Sequence, residues 1–195
     1  LGDAWVSMGA LAGLGDLARN QASYDEAVRH YEASLALARS GGEDWYASWL
    51  LGELGNLARI QADFLRAERL LEESLAGFRQ LGDASRVANV LKHQGHLAAA
   101  RGDFVAAQEQ YEASLAQSRD AKDRLHAGIA LGDLGNLARQ GGDQEEAQRH
   151  WRDALASLRG FEDHNWCMSW VLANVGTLII RSGHCREGVR LIGAA

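Results

Sequence analysis

The sequence predicts an all-α solenoid of five helix pairs, and three observations carry that prediction. Near-identical phrases recur: LGDLAR at 14–19 returns as LGNLAR at 54–59 and again at 134–139. Gly15, Gly55, Gly95 and Gly135 are each 40 residues apart, and Gly176 follows after 41. Self-similarity at a fixed period of this length marks a repeat architecture, in which each unit covers the apolar face of its neighbour. A second phrase lies about twenty residues beyond each glycine: YEASLALAR (31–39), LEESLAGFR (71–79), YEASLAQSR (111–119) and WRDALASLR (151–159). Apolar residues inside both phrases keep helical spacing, as in Leu54, Leu57 and Ala58. Strand-type alternation is absent.

The units fall at 3–40, 44–80, 84–120, 124–160 and 163–195, forming one solenoid domain over 1–195. The first helix of each ends at a Gly/Asp-rich break: Ala62-Asp63, Gly102-Asp103, Gly142-Asp143, Gly183-His184. Ser23, Asp63, Asp103 and Asp143 are placed as N-caps of the second helices, where a side-chain oxygen accepts from an orphan backbone N–H. Ser23…Glu26 and Asp143…Glu146 have capping-box spacing. Gly41-Gly42, Gly82-Asp83, Lys122-Asp123 and Glu162-Asp163 separate one unit from the next.

These units resemble tetratricopeptide repeats (TPRs). The resemblance rests on a glycine in the first helix (Gly15, Gly55, Gly95, Gly135, Gly176) and a small residue facing it from the second (Ala27, Ala67, Ala107, Ala147, Gly188). A bulky residue follows four positions later, as Tyr31, Leu71, Tyr111, Trp151 and Ile192. The repeats are 40 residues long rather than the common length of about 34, and the proline that often closes the second helix is missing. The longer form resembles the arrays of bacterial LuxR-like and AfsR-like regulators, with REGVRLIGAA (186–195) similar to a closing repeat. The resemblance implies a right-handed superhelix whose first helices line a concave surface. It also implies a non-catalytic protein- or peptide-binding scaffold, or a sensor module, in a larger regulatory protein.

Composition agrees with this and narrows the partners. The chain has 195 residues, 24% of them charged and 47% hydrophobic, a balance that excludes disorder. A net charge of −6 argues against nucleic-acid binding, which needs a basic footprint. No apolar run reaches the ~18 residues of a membrane span. Two cysteines cannot build a disulfide framework, so a reducing cytoplasmic compartment is expected. The chain opens on Leu1 and closes without a polar tail, and is expected to be a piece of a larger protein.

Candidate chemistry is sparse. Gly13-Leu-Gly15-Asp-Leu-Ala18 matches a dinucleotide fingerprint in letters, but it lies inside a helix rather than at a strand-to-helix turn, so no cofactor is expected. His164, Cys167, His184 and Cys185 cannot share one metal if 164–181 is a single helix, because Cys167 and Cys185 would stand roughly 27 Å apart. No metal, no disulfide and no catalytic residue is expected.

The groove reading rests on side-chain register. Counting from the crossing glycine, positions −6, −3, +1, +4 and +5 share one arc of the first helix at about 100° per residue. Position −3 is mostly small (Ala12, Gly52, Gly132, Ala173) and is expected to form an open groove floor, with Lys92 as the exception. Position +1 is polar throughout: Asp16, Asn56, His96, Asn136, Thr177. Position +4 supplies Arg19, Arg59 and Arg139. The expected binding residues are therefore Arg19, Asn56, Arg59, Lys92, His96, Asn136, Arg139 and Thr177, suited to an extended acidic peptide. Glu53 and Asp133 sit at the groove edge, where they would neutralise Arg59 and Arg139. Trp5, Trp45, Trp49, Trp166 and Trp170 recur near the starts of first helices, either as inter-repeat packing or as an aromatic rim. Two other functions stay open: homodimerisation, or small-molecule sensing attached to a catalytic domain. Val189, Leu191 and Ile192 would leave an apolar C-terminal edge to be covered by more helices or by another chain.

Overall fold

The computed structural model describes residues 2–158. Eight helices follow one another there: α1 (Gly2–Asn20), α2 (Tyr24–Gly41), α3 (Asp44–Ile60), α4 (Phe64–Leu81), α5 (Ala84–Ala100), α6 (Phe104–Asp120), α7 (Arg124–Gln140) and α8 (Gln144–Leu158). They are the helix pairs of the first four repeats. The fifth pair lies outside the described residues, as do Cys167, Cys185, Thr177, Trp166, Trp170 and the apolar C-terminal edge. Packing divides the chain into two compact units, Leu1–Asp103 with α1 to α5 and Phe104–Ala195 beginning at α6.

The crossing glycines do what their register requires. A Cβ on Gly15 would come within 2.6 Å of the Tyr31 ring, and one on Gly55 within 2.8 Å of Leu71 Cγ. A Cβ on Gly135 would run into the indole of Trp151. In these three pairs the bulky residue of the second helix thus lies directly over the glycine of its own first helix, with Tyr31, Leu71 and Trp151 all buried. A further contact was not legible beforehand. Ser34 and Ser74, each buried, donate across the pair to the carbonyls of Met8 and Ser48 at 2.9 and 2.7 Å. The serine of the YEASLA phrase is therefore a satisfied buried donor rather than a spacer.

Helix ends follow a common plan. Ala22, Ala62 and Lys122 take φ of 57°, 60° and 55°, and Gly42, Gly82, Gly102 and Gly142 are also left-handed. In each case the next amide bonds back to a carbonyl of the last turn, as Asp63 does to Ala58 at 2.9 Å, closing a Schellman motif. Asp63 and Asp143 cap α4 and α8 by accepting from Arg66 N and Glu146 N at 3.2 and 2.9 Å. The expected Ser23 cap is not made: its side chain accepts no bond at the start of α2. The second expected capping box forms by half: Asp143 accepts from Glu146 N, but the Glu146 carboxylate pairs with Arg149 at 2.7 Å.

In the first unit, α3 packs on α2 and α4 together, so Leu54 and Leu57 are 2% and 0% exposed. Leu14 and Leu17 hold the same register on α1 yet are 47% and 53% exposed, because α1 has α2 on one side only among the described residues.

Candidate functional site

The exposed arc of α3 corrects the expected register. Trp49, Glu53, Asn56, Arg59 and Ile60 are partly or fully exposed, whereas Gly52 is buried. On α1, α3 and α7 position −3 therefore faces the second helix and not a groove, whereas Lys92 on α5 is half-buried. A Cβ on Gly52 would meet Ser74 Oγ at 3.2 Å, Ala12 is 2% exposed, and the Gly132 carbonyl accepts from Trp151 Nε1 at 3.1 Å. The small residues there are small because a helix crosses them. Position −2 lies on the exposed arc of α1 and α3, as Gly13 and Glu53, but is buried on α5 and α7, as His93 and Asp133.

On the first unit this face gathers a charged cluster. Arg19 Nη1 of α1 donates to Glu53 Oε2 of α3 at 2.6 Å, and its Nη2 lies 3.2 Å from Asp16 Oδ1. Glu53 thus pairs with the arginine of the preceding repeat rather than with Arg59. Arg59 instead donates to Asn56 Oδ1 at 2.9 and 3.2 Å. That engages the acceptor of Asn56 and leaves its amide N–H groups as the outward chemistry. Tyr31 OH donates to Asp16 Oδ1 at 2.6 Å, and burial together with this bond holds its phenol far above the ordinary range.

His93 lies at the centre of the cluster, and the sequence reading missed it. Its ring is buried, stands 6.0 Å from the His96 ring, and its Nδ1 has no hydrogen-bond partner. Burial holds its pKa well below the imidazole range, reinforced by Lys92, His96, Arg59 and Arg19. Two of these groups also act on Glu53, whose pKa burial raises while Arg19 and Lys92 pull it down. The structure thus brings Arg19, Asn56, Arg59, Lys92 and His96 into one cluster. In the second unit Asn136 is half-buried with Oδ1 unpartnered, and Arg139 is exposed.

This arrangement predicts a specific pH response. A His93 pKa depressed in the folded state lets the unfolded chain take a proton the folded chain refuses, so stability falls as pH drops below the ordinary imidazole value of about 6.5. Glu53, raised in the folded state, acts with the opposite sign at lower pH. The fall in melting temperature between pH 8 and pH 5.5 is expected to be smaller in His93→Gln than in the parent chain. An unchanged fall would remove His93 from the cause.

The tryptophans form a ring-to-ring chain along the starts of α1 and α3. Trp5 packs on Tyr46 at 5.7 Å, Tyr46 on Trp49 at 5.2 Å, and Trp49 on Tyr31 at 6.3 Å. Trp45 is fixed on three sides. Its Nε1 donates to Asp83 Oδ2 at 2.9 Å, the Arg86 guanidinium lies 5.1 Å from its ring, and Phe78 meets it at 6.0 Å. Trp5 keeps 56% of its surface exposed.

Among the described residues no group of three or more His, Cys, Asp or Glu side chains could hold a metal ion, and no helix is long and apolar enough to cross a membrane. A family model described as tetratricopeptide repeat matches residues 7–80 and 86–160. The fold is similar to the crystal structure of BtubC from P. vanneervenii, with a TM-score of 0.65 and 22% identity over 80% of this chain and 65% of that one. It is also similar to NprR crystallised in complex with its cognate peptide NprX, with a TM-score of 0.75 and 19% identity over 98% of this chain. The chain spans 65% and 55% of the lengths of these two proteins. Among curated proteins none matches it by sequence.

Proposed function

The chain belongs to the tetratricopeptide repeat family, and from that premise we propose that it is a non-catalytic recognition module that holds an extended acidic peptide or partner segment on the exposed face of its first helices. The observation that carries this is the cluster on α1, α3 and α5. Arg19 Nη1 lies 2.6 Å from Glu53, and Arg19, Arg59 and Lys92 act electrostatically on the buried His93 ring, as Arg19, Lys92 and Arg86 do on Glu53. A local excess of cations on a chain of net charge −6 selects anionic ligands and steers them to one face. Asn56 adds amide donors for a peptide carbonyl, and Asn136, Arg139 and Thr177 hold the same register in the second unit. Trp5 and Trp49 border this face as an aromatic rim. NprR, of similar fold, is a peptide-bound structure. The setting we favour is a cytoplasmic bacterial regulator.

The test uses two fluorescein-labelled decapeptide pools, one half Asp/Glu and one half Asn/Gln, read by anisotropy at low salt. The acidic pool is expected to bind about tenfold more tightly or better, with affinity falling as salt rises. Combining Arg59→Ala with Lys92→Ala is expected to weaken the acidic pool about tenfold while stability stays within about 0.5 kcal/mol per substitution. Equal binding of both pools, undiminished binding by the double variant, or its unfolding would each overturn the assignment.

A further inference from the structure

Six residues after each of the first four crossing glycines stand Gln21, Gln61, Arg101 and Gly141. In the second and third repeats this side chain reaches back to the second helix of the preceding repeat. Gln61 Nε2 donates to Asp25 Oδ1 on α2 at 2.7 Å. Arg101 donates to the Phe64 carbonyl at 3.0 Å and to Glu68 Oε2 at 2.8 Å on α4. Its guanidinium also lies 6.0 Å from the centre of the Phe64 ring. The fourth repeat has no side chain at this position. Gly141 leaves a cavity of about 370 Å³ between the start of α6, the end of α7 and the start of α8. Phe104, the counterpart of Phe64, is 52% exposed on its wall, beside Val105, Leu134 and Leu137.

We infer that this cavity binds an arginine side chain presented by a protein or peptide partner. The third repeat displays the mode of binding within the same fold: a guanidinium over a phenyl ring, bonded to the ring residue's own carbonyl and to an acceptor four residues on. The ring and its carbonyl recur forty residues later, and the acceptor changes from a carboxylate to an amide. Phe104 supplies the ring and carbonyl, and Gln108 stands where Glu68 stands. Gln108 Nε2 donates to Glu112 Oε1 at 2.9 Å, which leaves Gln108 Oε1 as the acceptor it can offer. Carboxylate charge comes from the other wall, lined by Asp143, whose Oδ1 caps α8, and Glu146, whose Oε1 pairs with Arg149. A planar cation with several fixed donors matches a ring face, a carbonyl and a carboxylate together, whereas an ammonium offers no fork and stacks less well. The cavity is lined wholly from the second unit and shares no residue with the cluster around His93.

Gly141 also provides the test, because nothing in its backbone requires glycine. Its φ and ψ are −71° and −7°, and a Cβ there would meet only the carbonyls of Ala138 and Leu137 at 3.4 and 3.8 Å. Gly141→Arg should therefore install the latch of the third repeat and occupy the cavity from within. The probes are the peptide acetyl-Ala-Ala-Arg-Ala-Ala-amide and its lysine counterpart, titrated into the ¹⁵N-labelled chain. Saturable shifts of the Phe104, Gln108 and Gly141 amides are expected, with the lysine peptide about fivefold weaker or more. Gly141→Arg is expected to weaken the arginine peptide about tenfold without lowering the melting temperature. Phe104→Ala, at an exposed ring, is expected to weaken it similarly and carries the test if Gly141→Arg is unstable. Absence of saturable shifts at these amides, equal affinity for the two peptides, or undiminished binding by both variants would overturn the inference.

Discussion

Trp151→Ala is expected to destabilise the second unit by about 3–5 kcal/mol, the usual cost of emptying an aromatic site in a packed core. Trp151 is 1% exposed, covers Gly135, and donates its indole N–H to the Gly132 carbonyl at 3.1 Å. Alanine would lose the buried ring surface and the hydrogen bond in one step. Nothing nearby can fill the space cheaply, because the residue opposite is a glycine. In repeat folds stability is close to a sum of repeat and nearest-neighbour terms, so the loss should fall on α7 and α8 and their immediate contacts. For a chain of this size each kcal/mol corresponds to roughly 2–4 °C, so thermal unfolding followed by circular dichroism should move by roughly 6–20 °C. A shift of under about 2 °C would mean the indole is not seated over Gly135.

Gly55→Leu is expected to cost about 1–3 kcal/mol by overpacking. A Cβ on Gly55 would lie 2.8 Å from Leu71 Cγ and 3.3 Å from the Leu71 backbone nitrogen. The side chain can turn away, but the backbone can yield only by moving α4 off α3. The intrinsic helix preference works in the opposite direction, since glycine inside a helix is worse than alanine by about 1 kcal/mol. Gly13→Ala isolates that term: nothing lies within 4 Å of its Cβ, so a neutral or stabilising change is expected. Opposite signs for the two variants by urea unfolding would establish the crossing contact. A Gly55→Leu chain as stable as the parent would remove it.

Much of this was legible in the sequence because repetition multiplies each signal. The crossing glycines, the bulky residues over them and the Asp caps recur at fixed phase, and Gly55, Leu71 and Asp63 sit as their spacing predicts. The exposed face was less legible. Positions −3 and −2 differ by about 100° around a helix, and small residues at −3 suit an open floor and a tight crossing equally well. Burial of Ala12 and Gly52 decides for the crossing. His93 carried no signal, since one histidine in a first helix looks like any polar residue until Lys92, His96, Arg59 and Arg19 are seen around it.

By itself the sequence determined the helical pairs, their period and the residues that hold each pair together, because those depend on contacts set by spacing along one chain. Tertiary structure alone decided which charges meet and which cavity stays open. Arg19 reaches Glu53 across 34 positions, and Arg101 reaches Glu68 across 33. Such partners are chosen by how far one repeat is shifted and rotated against the next, a quantity fixed by packing and absent from any single helix's pattern. The cavity beside Gly141 shows the same limit: a glycine in a turn reads as a helix stop, and only the neighbouring helices reveal that the missing side chain had somewhere to go.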